Sequence, residues 1–136
     1  MSNTVVKQLL VDGPSKATLY VYLESDGNEG EFTNYVLLDP AVDFNPQITD
    51  LSISQLSVLQ VWYGFSWFDV TLSFDDLIPY PNWTFARDQD GYKDFRYFGG
   101  LKDRAGIDHT SKLLLTTNGF APLGSKGNLV IELRKN

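Results

Sequence analysis

The chain has 136 residues, the length of one domain, with no cysteine and a formal charge of −6. The missing cysteine excludes disulfide frameworks and thiolate metal sites, while size scaling gives about 7,000 Å² exposed when folded against about 22,000 Å² unfolded, enough burial for an apolar core. Residues 1–60 carry Lys7 and Lys16 against eight acids, and the remainder balances nine against nine; such a surface repels phosphate and lacks the basic stripe of a nucleic-acid binder.

The start, MSNTVVKQLL, has one positive side chain, Lys7, and no long apolar stretch after it, which is unlike a secretory signal. Residues 1–15 read as an N-terminal arm or edge strand, with Thr4 to Val11 the β-rich part, closed by the turn former Asp12-Gly13-Pro14. From Lys16 to Glu24, Leu19, Val21 and Leu23 alternate with Thr18, Tyr20 and Tyr22, the period of a strand with bulk on both faces. Asp26-Gly27-Asn28 marks a turn, Phe32 to Asp39 a further strand, and Asp39-Pro40 and Asn45-Pro46 more turns. Ile48, Leu51, Gln55 and Leu59 come nearest to a helical stripe, but Ser52, Ser54, Ser57 and the β-branched neighbours favour a bulged strand from Leu51 to Tyr63.

The longest mainly apolar run, Leu56 to Phe74, is broken by Ser57, Gln60, Ser66, Asp69 and Ser73, so it does not span a bilayer as a helix, and a soluble chain without a membrane partner is expected. Within it, Trp67 to Phe74 is the clearest strand: Phe68, Val70, Leu72 and Phe74 face one way, Asp69, Thr71 and Ser73 the other. Ile78 to Gly106 contains Pro79, Pro81 and four glycines and reads as a long aromatic loop, with a turn at Asp90-Gly91 and one strand near Tyr92 to Phe98. Lys112 to Thr117, the turns Asn118-Gly119 and Lys126-Gly127-Asn128, and a closing strand from Asn128 to Arg134 complete the chain. These elements predict an all-β, single-domain antiparallel β-sandwich over residues 1–136, jelly-roll or Ig-like, of about seven to eight strands.

No complete catalytic constellation emerges, so an enzyme is not expected, nor a cofactor or metal. His109 is the single histidine and has no nucleophile motif beside it. Asp75-Asp76 and the trio Asp88, Asp90 and Asp94 sit next to turn formers, where acids are solvated rather than shifted for acid-base work. The acidic stretches Glu24 to Glu31 and Asp88 to Asp94 offer oxygens for calcium, but the second lacks the full ligand series and the closing Glu of a calcium loop. Asn82-Trp83-Thr84 is formally a glycosylation acceptor. More informative are three Trp, seven Tyr and nine Phe. Phe65, Phe68 and Phe74 read as core. Tyr20, Tyr22, Trp62, Tyr80 and Trp83 are the candidate interface residues, since Tyr and Trp join large apolar area to a polar tip.

Leu59 to Ser66 leading into Val70 to Asp75, then Asp94 to Lys102, Gly106, Leu113 to Thr117 and Leu129 to Lys135, in that order, resemble small virion structural proteins of tailed phages, marine ones especially, and among them capsid decoration or cement proteins. The resemblance covers roughly residues 30–135. It implies a β-sandwich made in the host cytoplasm that coats the virion's capsid exterior, with the major capsid protein as partner and further copies of the chain in dimeric or trimeric forms. Two other readings stand beside it. One is a tail, neck or fibre component; the other is a carbohydrate-binding module using Trp62, Trp67, Trp83 and Tyr80 as stacking platforms.

Overall fold

Alternation of apolar and polar side chains is the main instruction in this sequence, and it folds into extended strands that share one buried layer. The computed structural model describes residues 3–13, 15–39, 43, 56–65, 68–75, 83–85, 90–96, 100–102, 112–120 and 122–135. They form ten strands: β1 (Thr4–Asp12), β2 (Lys16–Glu24), β3 (Tyr35–Leu38), β4 (Leu56–Phe65), β5 (Asp69–Phe74), β6 (Trp83–Phe85), β7 (Asp90–Asp94), β8 (Leu101–Lys102), β9 (Leu113–Asn118) and β10 (Lys126–Lys135). There is no α-helix among the described residues. The larger sheet has the order β1-β2-β10-β4-β7, with β8 also pairing β4; the smaller has the order β3-β9-β5-β6. All pairs are antiparallel.

Successive strands from β2 to β5 alternate between the sheets, and each meets a later strand: β2 with β10, β3 with β9, β4 with β7, β5 with β6. An immunoglobulin sandwich instead keeps consecutive strands such as A and B in one sheet. The order here is a jelly roll, with β1 added outside β2.

The core lies between the sheets. Leu19, Val21 and Leu23 of β2, Val58, Val61 and Phe65 of β4, and Leu129, Ile131 and Leu133 of β10 face Val70, Leu72 and Phe74 of β5 and Leu113 and Leu115 of β9, all buried. The aromatic supply goes largely into this layer. Rings run in sequence from Tyr35 to Phe32, Phe120, Phe68, Phe65, Tyr63 and Phe85, with centroid separations of 4.7–5.5 Å. Each such pair adds about 0.5–1.5 kcal/mol beyond its area burial. A continuous aromatic spine thus ties the β3 side of the sandwich to the β6 side.

Two local expectations are corrected. The long loop expected from Ile78 to Gly106, with one strand near Tyr92 to Phe98, contains three short strands: β7, which overlaps the expected one, and β6 and β8 besides. Asp90-Gly91 and Lys126-Gly127-Asn128 are not turns but parts of β7 and β10. Gly127 serves close approach: a Cβ there would lie 2.7 Å from Phe65 Cδ1 and 2.8 Å from the Gly64 carbonyl oxygen. By contrast Gly27 and Gly119, with φ of 77° and 88°, do sit in turns that favour glycine. Within residues 1–15, expected as an arm or edge strand, Thr4–Asp12 form the edge strand β1, and Asn3 anchors it. Its side-chain oxygen accepts from the Asp26 amide at 3.0 Å and its Nδ2 donates to the Gly30 carbonyl at 3.0 Å.

Candidate functional site

The two outward faces of the sandwich differ in chemistry. On the larger sheet, register places Gln8, Tyr20, Val130, Trp62 and Tyr92 side by side across five strands, and Val6, Tyr22, Asn128 and Gly64 in the next row. Because inward partners alternate with these positions, every one points away from the core. Val6, Trp62 and Tyr92 are 46%, 40% and 46% exposed, large values for side chains of this size. On the smaller sheet the corresponding row is Thr84, Thr71 and Thr116. There the Thr71 and Thr84 hydroxyls lie 2.8 Å apart, and Thr116 accepts from the Asn34 amide at 3.0 Å.

The aromatic residues form two ridges. Tyr20 and Tyr22 stand on β2; Trp62 on β4 and Tyr92 on β7 stand together, centroids 5.3 Å apart and planes inclined at 37°. Between the ridges runs β10, which carries only Asn128 and Val130 at these levels, while Gly64 leaves the matching position of β4 without a side chain. The result is an open trough of about 760 Å³ along β10, bounded by Tyr22, Trp62, Gly64, Lys126, Asn128 and Val130. Ridges on β2 and β4 are two strand spacings apart, about 9.5 Å.

Polar groups at its margins are tied to one another. Tyr92 donates to Gln60 Oε1, and Gln60 Nε2 donates to Glu132 Oε1 at 3.1 Å, a chain that holds the second ridge upright. Tyr22 donates to Glu24 Oε2 at 3.3 Å. Partial burial, then the adjacent Glu24 carboxylate, raise the Tyr22 phenol above its ordinary value, so it keeps its proton. Beside Tyr92, Asp94 accepts from Arg96 Nε and Nη2, each at 2.9 Å, and from the Arg96 amide at 2.9 Å. Those bonds lower the Asp94 carboxyl to about 2.

Of the five interface residues expected from sequence, the structure gathers Tyr20, Tyr22 and Trp62 on one face. Trp83 lies elsewhere: on β6 it packs edge-on to Phe95 at 5.0 Å, under the Lys93 ammonium at 4.9 Å, against the core. Tyr80 lies outside the described residues, as do His109, Asp76, Asp88, Asn82 and Trp67. Sequence reasoning missed Tyr92, Val130, Val6 and Gly64. Tyr92 was hidden by reading Asp90-Gly91 as a turn; as a strand, the same residues place it opposite Trp62.

The first acidic stretch is a structured turn: Asp26 Oδ1 accepts from the Asn28 and Glu29 amides, both at 2.8 Å, which lowers its carboxyl. No group of three or more acidic or histidine side chains arranged for a metal occurs among the described residues.

No family model matches this chain, and no curated protein matches it. A solved structure, an RmlC-like cupin family protein with a double-stranded β-helix fold from Methanocaldococcus jannaschii, is similar at 11% identity over 97% of this chain and 80% of its own, with a TM-score of 0.33.

Proposed function

We propose that this protein is a non-catalytic virion coat protein, a capsid decoration protein that docks on the assembled head through the outward face of its larger sheet. The observation that carries the reading is the concentration of aromatic side chains on one face, Tyr20, Tyr22, Trp62 and Tyr92 with Val130, where the outward rows of the other hold hydrogen-bonded threonines and the aliphatic Val36 and Leu114. Aromatic side chains supply large contact area at low conformational cost and are enriched at interface cores. Jelly rolls serve in viral capsids and also in lectins, so the fold agrees with the reading without selecting it. The resemblance of the chain's motif order to that of phage decoration proteins is what directs the proposal to a capsid.

Function by this route needs no reaction. A ligand that binds only the assembled lattice stabilises it by RT ln(1 + [L]/Kd) at each site, and the many equivalent sites of a shell sum modest contacts into a large effect. The partner is then the major capsid protein, and the place of action is the capsid exterior.

The test is co-sedimentation of the purified protein with undecorated heads. Saturable binding at a fixed ratio to the major capsid protein is expected, with Trp62→Ala weakening it about tenfold or more, as for a central aromatic anchor. Heads that take up no protein at saturating concentration would end the proposal.

A further inference from the structure

We infer that the trough along β10 seats an extended, proline-bearing segment of the partner in the polyproline II conformation; this rests on the reading above that the face of the larger sheet is the docking surface. Four observations support that occupant.

Dimensions come first. One strand, β10, separates Tyr22 on β2 from Trp62 on β4, so a single extended chain can run between the two side chains, about 9.5 Å apart at the backbone. From Lys126 to Val130 the trough follows β10 for about 13 Å, the length of about four residues in polyproline II at about 3.1 Å each.

Second, the walls are aromatic side chains. Tyr22 bounds one side and Trp62 the other, with Asn128, Val130 and the bare Gly64 at the floor. Pyrrolidine rings fit between aromatic side chains, and a polyproline II chain arrives already ordered, so little entropy is lost on docking.

Third, the hydrogen-bonding groups match a chain that has only carbonyls to satisfy. Polyproline II makes no internal hydrogen bonds. Trp62 brings an indole N–H, Asn128 an amide and Lys126 an ammonium, all donors along the trough. The groups a sugar would need for its many hydroxyls are bonded to one another instead: Tyr22 to Glu24, and Tyr92 through Gln60 to Glu132.

Fourth, the charges at the Lys126 end compensate, because Lys126 stands opposite Glu24 in register. An uncharged segment suits that balance.

The experiment is an amide-resonance titration of the labelled full chain with a polyproline peptide of about ten residues, run beside a length-matched alanine-serine peptide and a neutral oligosaccharide. Shifts are expected at Tyr22, Gly64, Asn128, Val130 and the Trp62 indole, with weak affinity and none for the alanine-serine peptide. Trp62→Ala and Tyr22→Ala should each weaken binding about tenfold, while Thr84→Ala on the opposite face should leave it unchanged. Absence of shifts at millimolar peptide, shifts confined to other surfaces, or a response to the oligosaccharide alone would overturn the inference. The two proposals fail separately. Heads whose binding is lost in Trp62→Ala while the peptide does nothing remove only the proline segment; a peptide that binds while heads do not removes the capsid reading.

Discussion

Gly127→Ala is the substitution that most directly separates the structure from the simplest reading of the sequence. Lys126-Gly127-Asn128 reads as a turn, and a turn glycine with ordinary φ would accept alanine with a gain of about 0.4–1 kcal/mol from a stiffer unfolded chain. In the structure Gly127 is buried inside β10, pairing Leu23 on one side and Phe65 on the other, with no left-handed φ. The new methyl would stand 2.7 Å from Phe65 Cδ1, 2.8 Å from the Gly64 carbonyl oxygen and 3.0 Å from Phe68 Cζ. Comfortable carbon contacts are about 3.5–4.0 Å. Phe65 cannot easily swing aside, because its ring is stacked on Tyr63 at 5.5 Å and packed against Phe68 at 5.4 Å. The carbonyl belongs to a strand between β10 and β7. Overpacking of this kind costs about 1–3 kcal/mol, and contact with backbone puts it near the top of that range. After the unfolded-state gain, the net loss is about 2 kcal/mol. For a domain of this size that lowers the melting temperature by about 6–10 °C. Urea and thermal unfolding measure it, and Phe65→Leu in the same chain should recover part of the loss as a coupling energy. A Gly127→Ala protein as stable as the parent, or more so, would refute the close approach of β10 and β4.

Phe68→Ala should cost about 3–5 kcal/mol in chemical unfolding, since Phe68 is fully buried and central in the aromatic spine; a loss under about 1 kcal/mol would show that the spine does not carry the core. Arg96→Ala should return the Asp94 carboxyl from about 2 toward its ordinary value of about 4, read by carboxyl-carbon titration. The sign follows from a depressed folded value: the stabilisation is present above about pH 4 and is lost as pH falls toward about 2, so parent and variant acid-unfolding curves should converge there. Arg96 is exposed and Asp94 half-buried, so salt should shrink the difference in part. Lys7→Met and Lys93→Met should shift the protein toward larger species with rising concentration in light scattering, because each removes an inward-pointing charge from an outer strand of the larger sheet; unchanged mass would rule that role out.

The fold was largely legible because period-two alternation is a local signal. Phe68, Val70, Leu72 and Phe74 face the core as their spacing requires, and so do Leu19, Val21 and Leu23. Glycines were less legible. The same residue type opens a turn at Gly27, with φ of 77°, and admits a close neighbour at Gly127 with no such φ, and composition does not separate the two uses. The strands inside Ile78 to Gly106 are short, and they exist because β4 and β5 offer free edges, a non-local cause. The site was half legible for the same reason. Tyr20, Tyr22 and Trp62 sit on recognisable strands, but that they share a face with Tyr92 follows from β10 inserting between β2 and β4, a pairing more than a hundred residues apart for β2. Trp83 looked equally suited to an interface; its half-buried place beside Phe95 depends on which way β6 pairs with β5.

The surfaces of the described chain narrow how a partner can attach. Sheet edges are the usual route for uncontrolled association, and here each side of the sandwich has an inward-facing lysine on an outer strand. Lys7 of β1 lies over the Tyr35 ring at 5.3 Å and donates to the Val36 carbonyl at 3.3 Å, and Lys93 of β7 lies over Trp83 at 4.9 Å. An added strand continuing either edge would have to accommodate that charge, and the cation–π contacts keep it in place. The outward row of the smaller sheet has its hydroxyls engaged with one another and with Asn34. The ridged face gathers the exposed aromatic side chains, and its row of Tyr20, Val130, Trp62 and Tyr92 crosses four strands held by continuous backbone pairing. Guarded edges combined with one aromatic face favour a discrete docked copy over a growing fibre, the outcome that the proposed coating of a shell at many equivalent positions would require.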